Sequence, residues 1–368
     1  MPARMDGARA HRRFLGAAGL AASATALIAA WLAIGIGGET AVLSVDDLAT
    51  VLAALAATAL CLRAGMHQSG RPRLFWWLLA AACGAWLLGE VIWALYDLGL
   101  GEEVPVPSWA DVGYLGALPL AVGALLSHPA IHGSGARRAR AVFDGLLVAT
   151  ALLFLSWTYV LGPLWRSTDL STAGGVVALA YPFGDVVIVF FIVLVVRAMT
   201  SGGRLPLWCL LGGLLTMALT DSTYAYLTEV KSYEPGNVID SGWIAAYLAI
   251  AVGAFSSDAR ETVAHRAEPS VPRLAPIVAP FLPMLVALSV IGLEIELGHR
   301  PDPVAFVMAF ALVLLMLVRQ GLLLLDLIAR GGKQEGSTLT RLHGALVGAL
   351  PQSAAVESGP LSPDRSAL

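Results

Sequence analysis

The sequence predicts an all-α fold: a polytopic transmembrane bundle of about ten helices, organised as parallel hairpin repeats. Three observations carry this. Of the 368 residues 57% are hydrophobic and only 13% charged, about half the charged share usual for soluble domains, and mean hydropathy is +0.75. About ten apolar stretches are long enough to cross a hydrocarbon layer of roughly 30 Å. The basic residues fall after alternate stretches, as they do in a chain threaded back and forth through a membrane.

The first span, near 14–36, follows Arg4, Arg9, Arg12 and Arg13. Its "HRRFLGAAGLAASATALIAA" has the basic, apolar and small-residue order of a twin-arginine or secretory signal. The apolar run is nevertheless span length and nine more follow, so an uncleaved helix is expected. The second span, near 45–63, is followed by Arg63, Arg71 and Arg73. The third and fourth lie near 74–96 and 108–127, ahead of Arg137, Arg138 and Arg140. The fifth covers about 141–162. Arg197 and Arg204 flank the connection between the sixth, near 176–198, and the seventh, near 205–227. The eighth lies near 238–256, and Arg260, Arg266 and Arg273 separate it from the ninth, near 274–297. The tenth, near 302–328, carries or precedes Arg319, Arg330, Lys333, Arg341 and Arg365. Only Arg166, Lys231 and Arg300 lie on the other side, 3 of the 23 basic residues. The positive-inside rule then places both termini in the cytoplasm of a multi-pass cell-membrane protein. A chain so apolar has the lipid bilayer as its surroundings, and no basic patch suggests nucleic acid.

Residues 1–330 form one expected membrane domain, because the longest cytoplasmic loop, "SSDARETVAHRAEPSVPR", is too short for a soluble domain. The tail 331–368, rich in Gly, Ser and Pro, is expected to be mostly disordered and cytoplasmic, with one short helix near Leu339 to Leu350. Cys61, Cys83 and Cys209 sit inside apolar spans without close spacing, so no disulfide or zinc framework is indicated.

An internal repeat emerges from the outward loops. "PSWADVGYLGALPLAVGALL", "YPFGDVVIVFFIVLVV" and "PGNVIDSGWIAAYLAIAVGAF" each place a proline, then an aspartate, then a helix. Successive units are separated by an even number of crossings, so Asp111, Asp185 and Asp240 share one membrane face, the outer one. Glu90 and Asp97 in "GEVIWALYD" and Asp221 in "LTDSTYAYL" belong to the same level, among Trp93, Trp109, Tyr114, Tyr181, Tyr224, Tyr226 and Trp243. All of these except Tyr226 form a candidate ligand-binding site.

Capping alone accounts for an Asp after a proline turn, since it accepts free amide protons and faces the positive end of the helix dipole. It accounts poorly for Glu90 and Asp221, which approach helix C-termini. Ionisable residues at such depth face a protein interior or a water-filled cavity, and close carboxylates there share protons, a cation or a cationic ligand. Clustered carboxylates suit a hard cation, but of the seven histidines only His299 lies outside, which disfavours zinc, and no cofactor is implied. "YD" at Tyr96 and Asp97 with "FGD" at Asp185 is partly similar to the paired aspartates of presenilin-like proteases, but Pro182 and Phe183 precede Gly184 where that motif needs a further glycine. A small-solute, cation or proton transporter is the main rival to a sensor. Many transporters use inverted repeats and broken midplane helices, whereas these repeats are parallel and leave the inner half apolar. A structural or truncated membrane protein is the remaining alternative.

"GEVIWALYDLGLGEEVPVPSWADVGYLGALPL", "ALAYPFGDVVIV" and "LTDSTYAYL…YEPGNVIDSGWIAAYLAIA", taken in this order, resemble the amino-terminal multi-span region of actinobacterial GGDEF and EAL proteins, which make and degrade cyclic-di-GMP. The resemblance runs from about residue 14 to 330. It implies a membrane sensor region whose last span, similar to "VRQGLLLLDLIARG", leads to cytoplasmic catalytic domains. Here the pattern is broken: there is no GG(D/E)EF loop and no EAL segment. "STLTRLHGAL" only faintly echoes the "DxLTGLxNR" opening of a GGDEF domain, with Ser337 in place of the Asp. The resemblance therefore implies an input module without enzymatic output. Leu322, Leu325 and Ile328 at helical spacing after Arg319 suit pairing with a second copy or with a cytoplasmic signalling partner.

Overall fold

In the computed structural model the described residues are 2–100, 104–105, 107–132, 135–167, 172–198, 205–257, 281–298, 302–322 and 324. Among them there are helices and no strands, as expected where a backbone in lipid must satisfy its hydrogen bonds within each segment. The helices are α1 (Pro2–Ile34), α2 (Glu39–Met66), α3 (Gly70–Ala94), α4 (Trp109–Ser127), α5 (Gly135–Ser156), the short α6 (Gly162–Ser167), α7 (Ala173–Ala198), α8 (Leu205–Glu229), α9 (Ser241–Phe255) and α10 (Phe281–Glu296). The last is α11 (Pro303–Leu322). A π turn, Leu95–Leu100, extends α3, another, Trp157–Leu161, joins α5 to α6, and a 3-10 turn, Val238–Asp240, leads into α9.

Eight of the helical segments are long and apolar enough to cross a membrane. Two more helices, α8 and α10, occupy the positions of the expected seventh and ninth spans. The molecule is a membrane protein with an all-α polytopic bundle. It divides into two compact units, Met1–Leu317 and Val318–Leu368, and its apolar cores lie within the first. The expected tail 331–368, its short helix and most of the pairing segment after Arg319 lie outside the described residues.

One core joins α2, α3, α4, α7, α8 and α9, and a second joins α5, α10 and α11. Association in lipid depends on close packing rather than on exclusion of water, and the first core is built accordingly. Ala54, Ala57, Ala82, Ala117, Ala121 and Ala246 are fully buried in it. A Cβ added at Gly113 of α4 would meet the Ala85 carbonyl oxygen at 2.6 Å and the Gly89 nitrogen at 2.7 Å on α3. The same device recurs two repeats later, where a Cβ at Gly213 of α8 would meet the Ala246 carbonyl oxygen of α9 at 2.7 Å. Outward-turned Leu20, Leu27, Phe306 and Phe310 are exposed, as suits a lipid-facing surface. The glycine contacts matter for the site, because they draw Tyr114 over the end of α3 and α9 against α8.

Candidate functional site

The hairpin directions bring the ends of α3 and α8 and the starts of α2, α4 and α9 to one end of the bundle, called here the acidic end. Each helix delivers a carboxylate there, and α7 contributes another from its middle. Local sequence explains the placements. Ser108 begins α4 with a capping box: its hydroxyl accepts from the Ala110 amide at 3.2 Å, while Asp111 accepts from the Ser108 amide at 2.6 Å. The capping account is therefore correct for Asp111. The side chain does more than cap, since its second oxygen accepts a hydrogen bond from the Tyr181 hydroxyl on α7.

Asp185 departs from the proline–aspartate–helix pattern of the sequence. Pro182 does not start a helix but lies inside α7, so Asp185 falls mid-helix and has no free amide to cap. Its neighbour Gly184 is seated against Leu118 of α4. Asp185 is only 4% exposed; the Ser222 hydroxyl of α8 donates to it at 3.5 Å, and the Asp221 carboxyl lies beside it.

Asp221 accepts from the Trp243 indole N–H at 2.6 Å. Glu90 spends both oxygens on tyrosines, accepting from Tyr247 at 2.8 Å and from Tyr114 at 3.1 Å. Rings extend the Asp221 group: Tyr224 packs edge-on against Trp243 with centroids 5.6 Å apart and against Tyr233 at 4.6 Å. The Tyr233 hydroxyl in turn donates to Asp240 at 3.2 Å. Burial, with the Asp240 charge beside it, holds the pKa of the Tyr233 hydroxyl well above the usual tyrosine range, so it remains a donor.

Nine of the twelve candidate residues are thus brought together: Glu90, Asp111, Tyr114, Tyr181, Asp185, Asp221, Tyr224, Asp240 and Trp243. The other three share the same end without joining the bonded set. Trp93 is half-buried, Trp109 is 73% exposed at the start of α4, and Asp97 lies in the π turn after α3. Four participants were not legible as such. Tyr247 lies one helical turn after Trp243 and so on the same face, which was the available signal. Asp46, Ser222 and Tyr233 gave none beyond their polarity. None of the hydrogen-bond partners named for these carboxyl groups is basic. Among the described residues no group of three or more His, Cys, Asp or Glu is close enough to hold a metal ion.

A cavity of about 140 Å³ lies away from the acidic set, between α5, α10 and α11, lined in part by Phe154, Trp157, Arg166, Glu294 and Asp302. Comparisons with protein-family models, curated proteins and solved structures found no match to the chain.

Proposed function

We propose that this membrane protein is a sensor, an input module whose ligand acts at the acidic end of the bundle. The reading rests on one observation above all: buried and half-buried carboxyl groups from six different helical segments gather at one end, hydrogen-bonded to tyrosines, a tryptophan and a serine, with no basic partner for any of them among the described residues. Structural acids in lipid are expected to be neutralised by a neighbouring cation. Acids bonded only to neutral donors suit a proton or a small cationic ligand that comes and goes. Because the set ties helices of several hairpins together, a ligand that binds two bundle arrangements unequally would shift the balance between them.

In this reading both termini are cytoplasmic and the last span carries the change inward, to a second copy or to a cytoplasmic signalling partner. The resemblance to the membrane half of cyclic-di-GMP signalling proteins supports the same layout. The sequence lacks the GGDEF and EAL motifs, so no enzymatic output of its own is proposed.

The test uses the full chain in detergent, with choline, methylammonium and guanidinium as probes across a range of pH. Thermal stabilisation by at least one probe is expected in the parent, to be lost in Glu90→Gln and Asp221→Asn. Disulfide crosslinking between cysteines introduced along 319–328 should change with the same probe. Identical responses of the parent and both variants to every probe and pH would overturn the reading.

A further inference from the structure

Asp46 and Asp240 are separated by most of the sequence and meet at the acidic end. Asp240 is 1% exposed and Asp46 9%. The two carboxyl groups are within hydrogen-bond reach of each other, yet Oδ1 of Asp46 and Oδ2 of Asp240 have no donor among the described residues. An acceptor facing an acceptor in a buried site is repulsive unless one of them carries a proton. The groups that approach the pair are neutral: the Tyr233 hydroxyl donates to the other oxygen of Asp240, and the backbone amides of Gly236 and Asn237 lie beside the two carboxyls.

The local fold holds this geometry in place. The chain leaving α8 turns at Gly236, whose φ of 80° lies in the left-handed region that favours glycine. A Cβ there would meet Val42 of α2 at 2.7 Å. The turn is therefore seated on the first turns of α2, and Asp46, one turn further on, faces the 3-10 turn that carries Asp240.

We infer that Asp46 and Asp240 form a proton-binding site, one proton held between the two carboxyl groups, that fastens the start of α9 to α2. This inference does not depend on the sensor reading. The titratable neighbours are all acids and phenols: Asp47 on the same helix, Asp97 and Glu90 from α3 and its π turn, Tyr224 from α8 and Tyr233 from the turn. α1, which packs beside α9, has no titratable side chain in its outer half. Lys231 and Glu234, in the connection between α8 and the 3-10 turn, are exposed. The bond between the carboxyls is present while the proton is held and is lost as pH rises, when two charges face each other.

Asparagine separates this from simple packing, because an amide N–H bonds a carboxylate without any titratable proton. Purified full-length parent, Asp46→Asn and Asp240→Asn are compared for thermal midpoint across pH in detergent. Infrared spectra in H₂O and D₂O follow the C=O stretch of protonated carboxyl groups. The parent midpoint is expected to fall toward alkaline pH, and both variants should flatten that fall. Each should also lack one deuterium-sensitive carboxyl band that the parent shows. A parent-like pH dependence with an undiminished carboxyl band in both variants overturns the inference. Restoration of the parent's alkaline stability by sodium or potassium at constant ionic strength also overturns it, by making the occupant a metal cation.

Discussion

The two cores of the bundle treat their acids in opposite ways. Around α5, α10 and α11, described acids meet arginine: Asp302 pairs with Arg166 at 2.8 Å, and Asp144 of α5 pairs with Arg197 of α7 at 3.2 Å. At the acidic end of the six-helix core the partners are phenols, an indole and a serine hydroxyl. An arginine is always charged and fixes its partner as a carboxylate. A phenol or a second carboxyl leaves the protonation state free to change. The contrast therefore separates acids that lock the fold from acids whose charge can respond to the surroundings, and measured effects of substitution should divide along the same line.

The largest effect is expected at Glu90. Replacement by leucine removes the acceptor for both Tyr114 and Tyr247, and Tyr247 is only 1% exposed. Leaving a buried hydroxyl unsatisfied costs about 1–3 kcal/mol, so Glu90→Leu should lower stability by that amount for each tyrosine. Glu90→Gln keeps one carbonyl acceptor and offers the second hydroxyl an N–H to accept from, so it should cost less than Glu90→Leu. Reversible unfolding of the two variants in mixed micelles measures the difference. Equal losses would mean that the charge of Glu90, rather than its hydrogen bonds, stabilises the core.

The positions of these residues along the chain were legible, but their pairings were not. Hydropathy and the alternation of arginines located the helices, since bilayer thickness constrains them directly. The direction of the hairpins sufficed to put Asp111, Asp221 and Asp240 at one end. Asp185 was expected at a helix start after Pro182 and instead lies in the middle of α7. A proline usually marks a helix start, but in a membrane helix an interior proline is tolerated when neighbouring helices satisfy the freed groups. The Asp46–Asp240 contact was invisible because "SVDDLATV" has the acids expected in the early turns of any helix. Only tertiary packing reveals that one of them faces a second carboxyl rather than solvent.

Arg197 should give an intermediate effect. Asp144 is buried, its side chain 8% exposed, whereas the Arg197 side chain keeps 28% of its surface. Removing one member of a fully buried pair costs about 3–5 kcal/mol, while exposed pairs are worth about 0–1 kcal/mol. Arg197→Met is expected to fall between these limits, because Arg197 retains contact with solvent and Asp144 has further interactions. The sharper discriminator is lysine. Arg197→Lys keeps a cation within reach of Asp144 and should lose less stability than Arg197→Met. Equal losses would mean that the packing of the Arg197 side chain, rather than its charge, is what the pair contributes.

The smallest effect belongs to Arg166 and Asp302, where a long cationic side chain 58% exposed meets a carboxylate 29% exposed. Water and salt screen such a pair, and ordering the arginine side chain offsets much of the attraction. Asp302 also accepts from the Val304 amide at 2.8 Å near the start of α11, where it acts as a cap, and asparagine caps nearly as well. Asp302→Asn should therefore change stability by no more than about 1 kcal/mol. Asp302→Ala, which loses the cap as well, should cost about 0.5–2 kcal/mol. Measuring both in low and high salt separates the two contributions, since only the ion pair is screened. A salt-sensitive loss above about 1 kcal/mol in Asp302→Asn would mean that this pair is less open to solvent than its exposure indicates, and that the arginine-paired acids hold the second core together more strongly than packing does.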